Sequence, residues 1–116
     1  MQRRLAIKAA VVLVVVVALA AALLWLLFQP RVVSHAVSPD GSWSVAVIGK
    51  RRFNGTYELV AEIRDREGRI APTGAFVVGL TSEITPATEQ HYGIRFLDAD
   101  TAQLEKRTIE KAKYFP

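Results

Sequence analysis

Residues Ala9 to Phe28 read AAVVLVVVVALAAALLWLLF, 20 apolar residues in succession with no charge, glycine or proline. Such a run has no polar face to leave in water, so it cannot be an amphipathic surface helix. At ~1.5 Å rise per residue, a helix of this length covers about 30 Å, the thickness of a hydrocarbon core. A single spanning segment must satisfy its own backbone groups, and only a helix does so. The valines from Val14 to Val17 favour a strand in water. In lipid the hydrogen-bonding requirement overrides that preference. Trp25 lies near the far end, where an indole suits the interface, and Gln29-Pro30 closes the span.

The run also divides the composition. The chain has 116 residues, is 51% apolar and carries a formal charge of +4. Arg3, Arg4 and Lys8 lie before the run; the 12 Lys/Arg after it face all 11 Asp/Glu, which leaves +1 there (12 − 11). The basic excess is therefore mainly a topology signal, and no nucleic-acid partner is expected. Cationic residues on the leading side place residues 1–8 in the cytoplasm. Residues 9–28 form the transmembrane helix, with the lipid bilayer as its partner. Residues 29–116 form a domain outside the inner (plasma) membrane, periplasmic or extracellular. The rival reading is a cleaved signal peptide with Ser34-His35-Ala36 as its site, but the apolar run exceeds the ~7–15 residues of such leaders. With no cysteine, a lipid-anchored lipoprotein is excluded. Ala6/Ala10 and Ala18/Ala22 have the small-xxx-small spacing that lets helices pack closely. Alanine is also common in such segments, so a homo-oligomer gains no support from the spacing alone.

From Arg31 the texture changes to short alternating runs. Val33, His35 and Val37 alternate with Ser34 and Ala36 and predict a first strand. Ser38-Pro39-Asp40-Gly41 is a hairpin turn: proline presets φ, aspartate bonds its own backbone, and glycine accepts positive φ. Trp43, Val45 and Val47 have period two and predict a strand over Ser42–Ile48. Gly49 to Thr56 reads as a polar loop, and Tyr57 to Asp65 as a strand with Tyr57, Leu59, Ala61 and Ile63 on one face. After the turn at Arg66-Glu67-Gly68, Pro72-Thr73-Gly74 is expected to break the chain before a strand at Ala75–Leu80. Thr85-Pro86 is set to cap one helical turn in the connection to His91. Tyr92–Leu97 alternates, Asp98-Ala99-Asp100 is a turn, and a strand is expected through about Ile109 before a frayed tail. The fold class is mainly β: an N-terminal transmembrane helix, then an antiparallel meander of six or seven strands, curled into a small barrel or sandwich. The expected core is Trp43, Phe53, Tyr57, Leu59, Ile63, Phe76, Leu80, Ile94 and Phe96.

Few residues carry chemistry. His35 and His91 are the two histidines, and neither sits in a metal-ligand spacing. His91 near Glu83 and Glu89, and Asp98 with Asp100, are accounted for by solvated loop and turn chemistry. The serines lack a nucleophile elbow and no phosphate-binding glycine loop is present. No cofactor, metal or catalytic residue is assigned, and an enzyme is the least supported class. The sharp local feature is Lys50-Arg51-Arg52-Phe53, three cations and an aromatic that suit anionic headgroups, an acidic partner or a glycan. The bland reading is a solvated loop that blunts a sheet edge. Asn54-Gly55-Thr56 matches an N-glycosylation acceptor and is equally a turn signal.

Met1-Gln2-Arg3-Arg4, the apolar helix and Ser38-Pro39-Asp40-Gly41-Ser42-Trp43 together resemble small uncharacterised bacterial single-pass membrane proteins. Such proteins carry a Ser-Pro-Asp-Gly hairpin in an extracytoplasmic β domain. Arg64-Asp65-Arg66-Glu67-Gly68-Arg69 and Arg95-Phe96-Leu97-Asp98-Ala99-Asp100-Thr101 look like their hairpins. With this layout and no catalytic motif, the expected function is a membrane-anchored binding module with a protein partner in the envelope, such as an accessory subunit of a larger complex. A periplasmic immunity protein against an interbacterial toxin is the main alternative.

Overall fold

The computed structural model describes residues 2–116. The order is α1 (Gln2–Leu27), β1 (Arg31–Val37), β2 (Trp43–Arg51), β3 (Tyr57–Asp65), β4 (Ile70–Thr81), α2 (Pro86–His91), β5 (Ile94–Phe96), β6 (Thr101–Leu104), β7 (Arg107–Glu110) and α3 (Lys111–Tyr114). α1 is one continuous helix of 26 residues, none of them buried. It is the one helix among the described residues long and apolar enough to cross a membrane.

The remainder is mainly β. Strands β1-β2-β3-β4 form an antiparallel meander, and β5-β6-β7 a second three-stranded sheet. The two sheets do not close into a barrel. They face each other across one core. From the first sheet come the paired rows Val45–Ile63 and Val47–Ala61, with Trp43 and Leu59. From the second come Ala102 opposite Ile109, and Leu104 opposite Ile94. Cross-strand pairs of this kind are the unit of sheet stabilisation. Trp43 packs edge-on against Phe96, with ring centroids 5.1 Å apart, and against Phe115 at 6.5 Å.

The predicted turns are present. Gly41 and Gly68 adopt φ of +72° and +82°, and the Gly41 amide donates to the Ser38 carbonyl at 2.9 Å. Thr85 caps α2 in a reciprocal arrangement with Thr88, and Pro86 opens the helix.

Five expectations are corrected. Val33 is an extra residue in a bulge, since Val32 pairs with Ile48 and Ser34 with Val47. The bulge reverses the alternation, so Val33 is buried while His35 and Val37 face outward. β2 runs three residues past Ile48, which puts Lys50 and Arg51 in the strand rather than in a loop. Pro72-Thr73-Gly74 does not end a strand. β4 is continuous, at the edge of its sheet, and absorbs the tripeptide in a register shift with Thr73 at φ +60°. Phe53 and Leu80 are not core residues; they are 97% and 59% exposed. The tail is not frayed: β7 is followed by α3, whose Tyr114 stacks with Phe76 at 6.4 Å.

Candidate functional site

The four residues singled out in the sequence lie at one end of the β2–β3 hairpin. Lys50 pairs in register with Glu58, and Arg51 with Tyr57. The tip is then closed by the Arg52 amide on the Thr56 carbonyl at 2.8 Å and the Gly55 amide on the Arg52 carbonyl at 3.0 Å. Gly55 has φ +86°, a left-handed position that a side chain would strain. The Asn54 carboxamide oxygen accepts from the Thr56 amide at 3.1 Å and the Thr56 hydroxyl at 2.6 Å. Asn54-Gly55-Thr56 thus builds the turn, with the Asn54 oxygen as its side-chain acceptor. Arg52 Nε lies 3.8 Å from Glu58 Oε2 with both groups partly exposed, a pair of small energetic weight. The Phe53 ring meets the chain mainly through Phe28, at the end of α1, with centroids 5.0 Å apart and planes at 50°. This tilted contact leaves nearly all of Phe53 uncovered.

A second surface emerges only from the register. Val32 pairs with Ile48, Ile48 with Val60, and Val60 with Val77. Leu59, on the neighbouring position of β3, is fully buried between the sheets. The Val32–Ile48–Val60–Val77 row therefore lies on the opposite, outer face of the four-stranded sheet, because successive side chains alternate. It crosses all four strands, roughly 15 Å. Leu80 opposite Glu58, and Ile70 opposite Arg64, share this face; so does Val37 opposite Ser44. Val32 and Val77, on the two edge strands, are 63% and 52% exposed, while between them Ile48 is half-buried and Val60 only 6% exposed. Most of the exposed large apolar residues of the β domain lie here; Phe53 and Leu97 are elsewhere. The face also carries Glu62, nearly buried, held by Arg64 at 3.0 Å.

The sequence did contain a signal for this face. Val45-Ala46-Val47-Ile48, Leu59-Val60-Ala61 and Phe76-Val77-Val78 are unbroken apolar runs. A strand solvated on one face alternates; a continuous run indicates that both faces are to be covered.

The remaining candidates resolve into structure. His91 Nε2 lies 3.3 Å from Glu105 Oε2 rather than beside Glu83 or Glu89. Asp98 accepts the Asp100 amide at 2.8 Å, as turn chemistry requires. No group of three or more His, Cys, Asp or Glu that could hold a metal occurs among the described residues. An open groove of about 540 Å³ between β4 and β7 is lined by Phe76, Arg107, Ile109, Lys113 and Tyr114. Arg107 lies over the Phe76 ring at 5.7 Å. The Tyr92 hydroxyl seats against Gly79; burial, with Glu105 adding and Arg107 opposing, raises its pKa above the ordinary 10.0.

Comparison of the chain with protein-family models, with curated proteins and with solved structures found no match.

Proposed function

We propose that the chain is a membrane-tethered interaction module. In this reading α1 crosses the inner membrane once, with Arg3, Arg4 and Lys8 in the cytoplasm, and the β domain stands in the periplasm. Arg31 is the one cation within twenty residues of Phe28 on the far side, so the charge bias favours this orientation. The outer face of the four-stranded sheet then binds a protein of the cell envelope.

The observation that carries the reading is the Val32–Ile48–Val60–Val77 row. The β domain already has a core between its two sheets. On its outer face a second apolar row has edge members, Val32 and Val77, that stand uncovered among the described residues, and exposed apolar side chains grouped on one face mark protein contacts. The short join between α1 and β1, Phe28 to Pro30, supports a partner that is itself in or at the membrane.

Photo-crosslinking in native membranes tests this. A benzophenone amino acid at Val32 or Val77 should give a discrete adduct with one heterologous protein. Val77→Arg, which places a charge in the row, should abolish the adduct formed from Val32. No adduct from either position, or an adduct with the mass of two copies of this chain, would count against an envelope partner at this face.

A further inference from the structure

The strand register decides which end of the β domain meets the helix. Arg31 opens β1 directly after Pro30, and its register partner is Gly49. β2 continues past that point to Arg51, opposite Tyr57. The Arg52–Gly55 tip is therefore the part of the hairpin that projects beyond the start of β1, toward α1. The Phe28–Phe53 contact at 5.0 Å agrees with this placement independently. The opposite hairpin turns, at Asp40 and Glu67, lie at the far end of strands of nine residues, roughly 30 Å away.

The end that meets the helix has an unusual composition. Phe53 is 97% exposed. By register Arg31, Lys50, Arg51 and Arg52 lie at the same end of the sheet, with Glu58 and with Glu83 two residues past Thr81, so that this end carries four cations and two acids. An uncovered aromatic ring at a cationic end of the sheet costs solubility without a gain in a free loop. At the rim of a bilayer both groups have partners: the ring in the headgroup–acyl boundary, the cations on phosphates.

We infer that the β2–β3 hairpin tip is a second membrane contact, with Phe53 entering the interface beside Phe28 and Arg31, Lys50, Arg51 and Arg52 binding anionic lipid headgroups. This rests on the reading of α1 as a membrane span. Two contacts, the helix and the tip, fix the tilt of the domain where one would leave it free to swivel. The strands then stand upright on the bilayer, and the outer apolar face is presented sideways, to a neighbour in the same membrane. Each cation near an anionic surface favours the docked state by roughly fivefold at low salt. Replacing Lys50, Arg51 and Arg52 by serine should shift the docked population by on the order of a hundredfold.

The chain has no cysteine, so single spin labels report position without background. Full-length protein carrying Asn54→Cys, Ser82→Cys or Glu67→Cys is reconstituted in phosphatidylcholine vesicles, with and without phosphatidylglycerol. Collision of each label with lipid-soluble oxygen and with a water-soluble nickel chelate is then compared. In the anionic vesicles labels at 54 and 82 should favour oxygen, and the label at 67 the nickel chelate. Adding K50S/R51S/R52S should move label 54 toward water, and neutral vesicles should do the same. A label at 54 as water-exposed as that at 67, or one unmoved by the serine changes or by lipid charge, would overturn the inference. A Val16→Cys label separates the two readings. If it lies in lipid while label 54 lies in water, the tip contact alone fails; if it does not lie in lipid, the tether fails.

Discussion

The Trp43 indole Nε1 donates a 2.7 Å hydrogen bond to the Ala99 carbonyl oxygen, tying the first residue of β2 to the turn between β5 and β6. The ring is 1% exposed, and the bond crosses from one sheet to the other. Trp43→Phe removes the donor, strands a carbonyl and leaves a gap beside Phe96 and Phe115. A loss of about 1–3 kcal/mol is expected. Urea unfolding of the β domain in the full chain, held in detergent micelles and followed by near-ultraviolet circular dichroism, measures it.

Gly79 and Tyr92 make a second joint. A Cβ at position 79 would overlap the Tyr92 hydroxyl and sit 3.1 Å from its Cζ. Gly79→Ala should therefore destabilise the domain by about 1–3 kcal/mol. Tyr92→Phe removes the hydroxyl, so the same change in that background should be smaller by a measurable fraction. Equal losses in the two backgrounds would show that the tyrosine is not what limits position 79.

Asp40 organises the first hairpin turn. Its Oδ1 accepts from the Ser38 hydroxyl at 2.7 Å, the Ser42 amide at 3.1 Å and the Ser42 hydroxyl at 2.8 Å. The Ser38 bond foremost, then those from Ser42, hold its carboxyl well below the usual carboxylate range. A carboxylate whose pKa is depressed on folding stabilises the fold above its unfolded value, and that contribution is lost as pH falls toward the folded one. Asp40→Asn should thus lower the thermal midpoint at neutral pH. The gap between wild type and variant should narrow as pH falls below 3.8, the ordinary value. A gap that stays constant down to the acid limit would contradict this origin.

Glu105 opens the two-residue turn between β6 and β7 with φ +55°. The left-handed region costs an L-residue about 1–2 kcal/mol. Its contact with His91 is partly exposed and worth less than about 1 kcal/mol. Glu105→Gly should raise stability by up to about 1 kcal/mol. A loss would mean that the His91 contact outweighs the backbone strain.

Local chemistry made much of the fold readable. The apolar run, the Ser38–Gly41 turn, strand Tyr57–Asp65 and the Thr85-Pro86 cap all depend on neighbours in sequence. Misreadings arose where a distant partner decides. Pro72-Thr73-Gly74 looks like a break, yet β3 supplies a ladder that carries the chain through it. Phe115 and Tyr114 look like a loose end, yet Trp43 and Phe76 hold them. Phe53 looks like core because it is aromatic, yet the turn points it away from both sheets. At the candidate site, the cations were visible as a run, but their nearness to Phe28 needs the Arg31–Gly49 register. The apolar runs of β2, β3 and β4 announced the outer face, but the place of Val32 in it was hidden, because a bulge at Val33 decides which face each β1 side chain takes.

In the proposed topology α1 remains as a membrane anchor with the β domain outside. A Glu67→Cys chain, expressed in a Gram-negative host, exposes one thiol at the end of the domain far from α1. An impermeant maleimide added to intact spheroplasts tests it most directly. Labelling is expected without lysis, on a full-length species that sediments with membranes. Labelling only after lysis, or on a shortened soluble species, would contradict it.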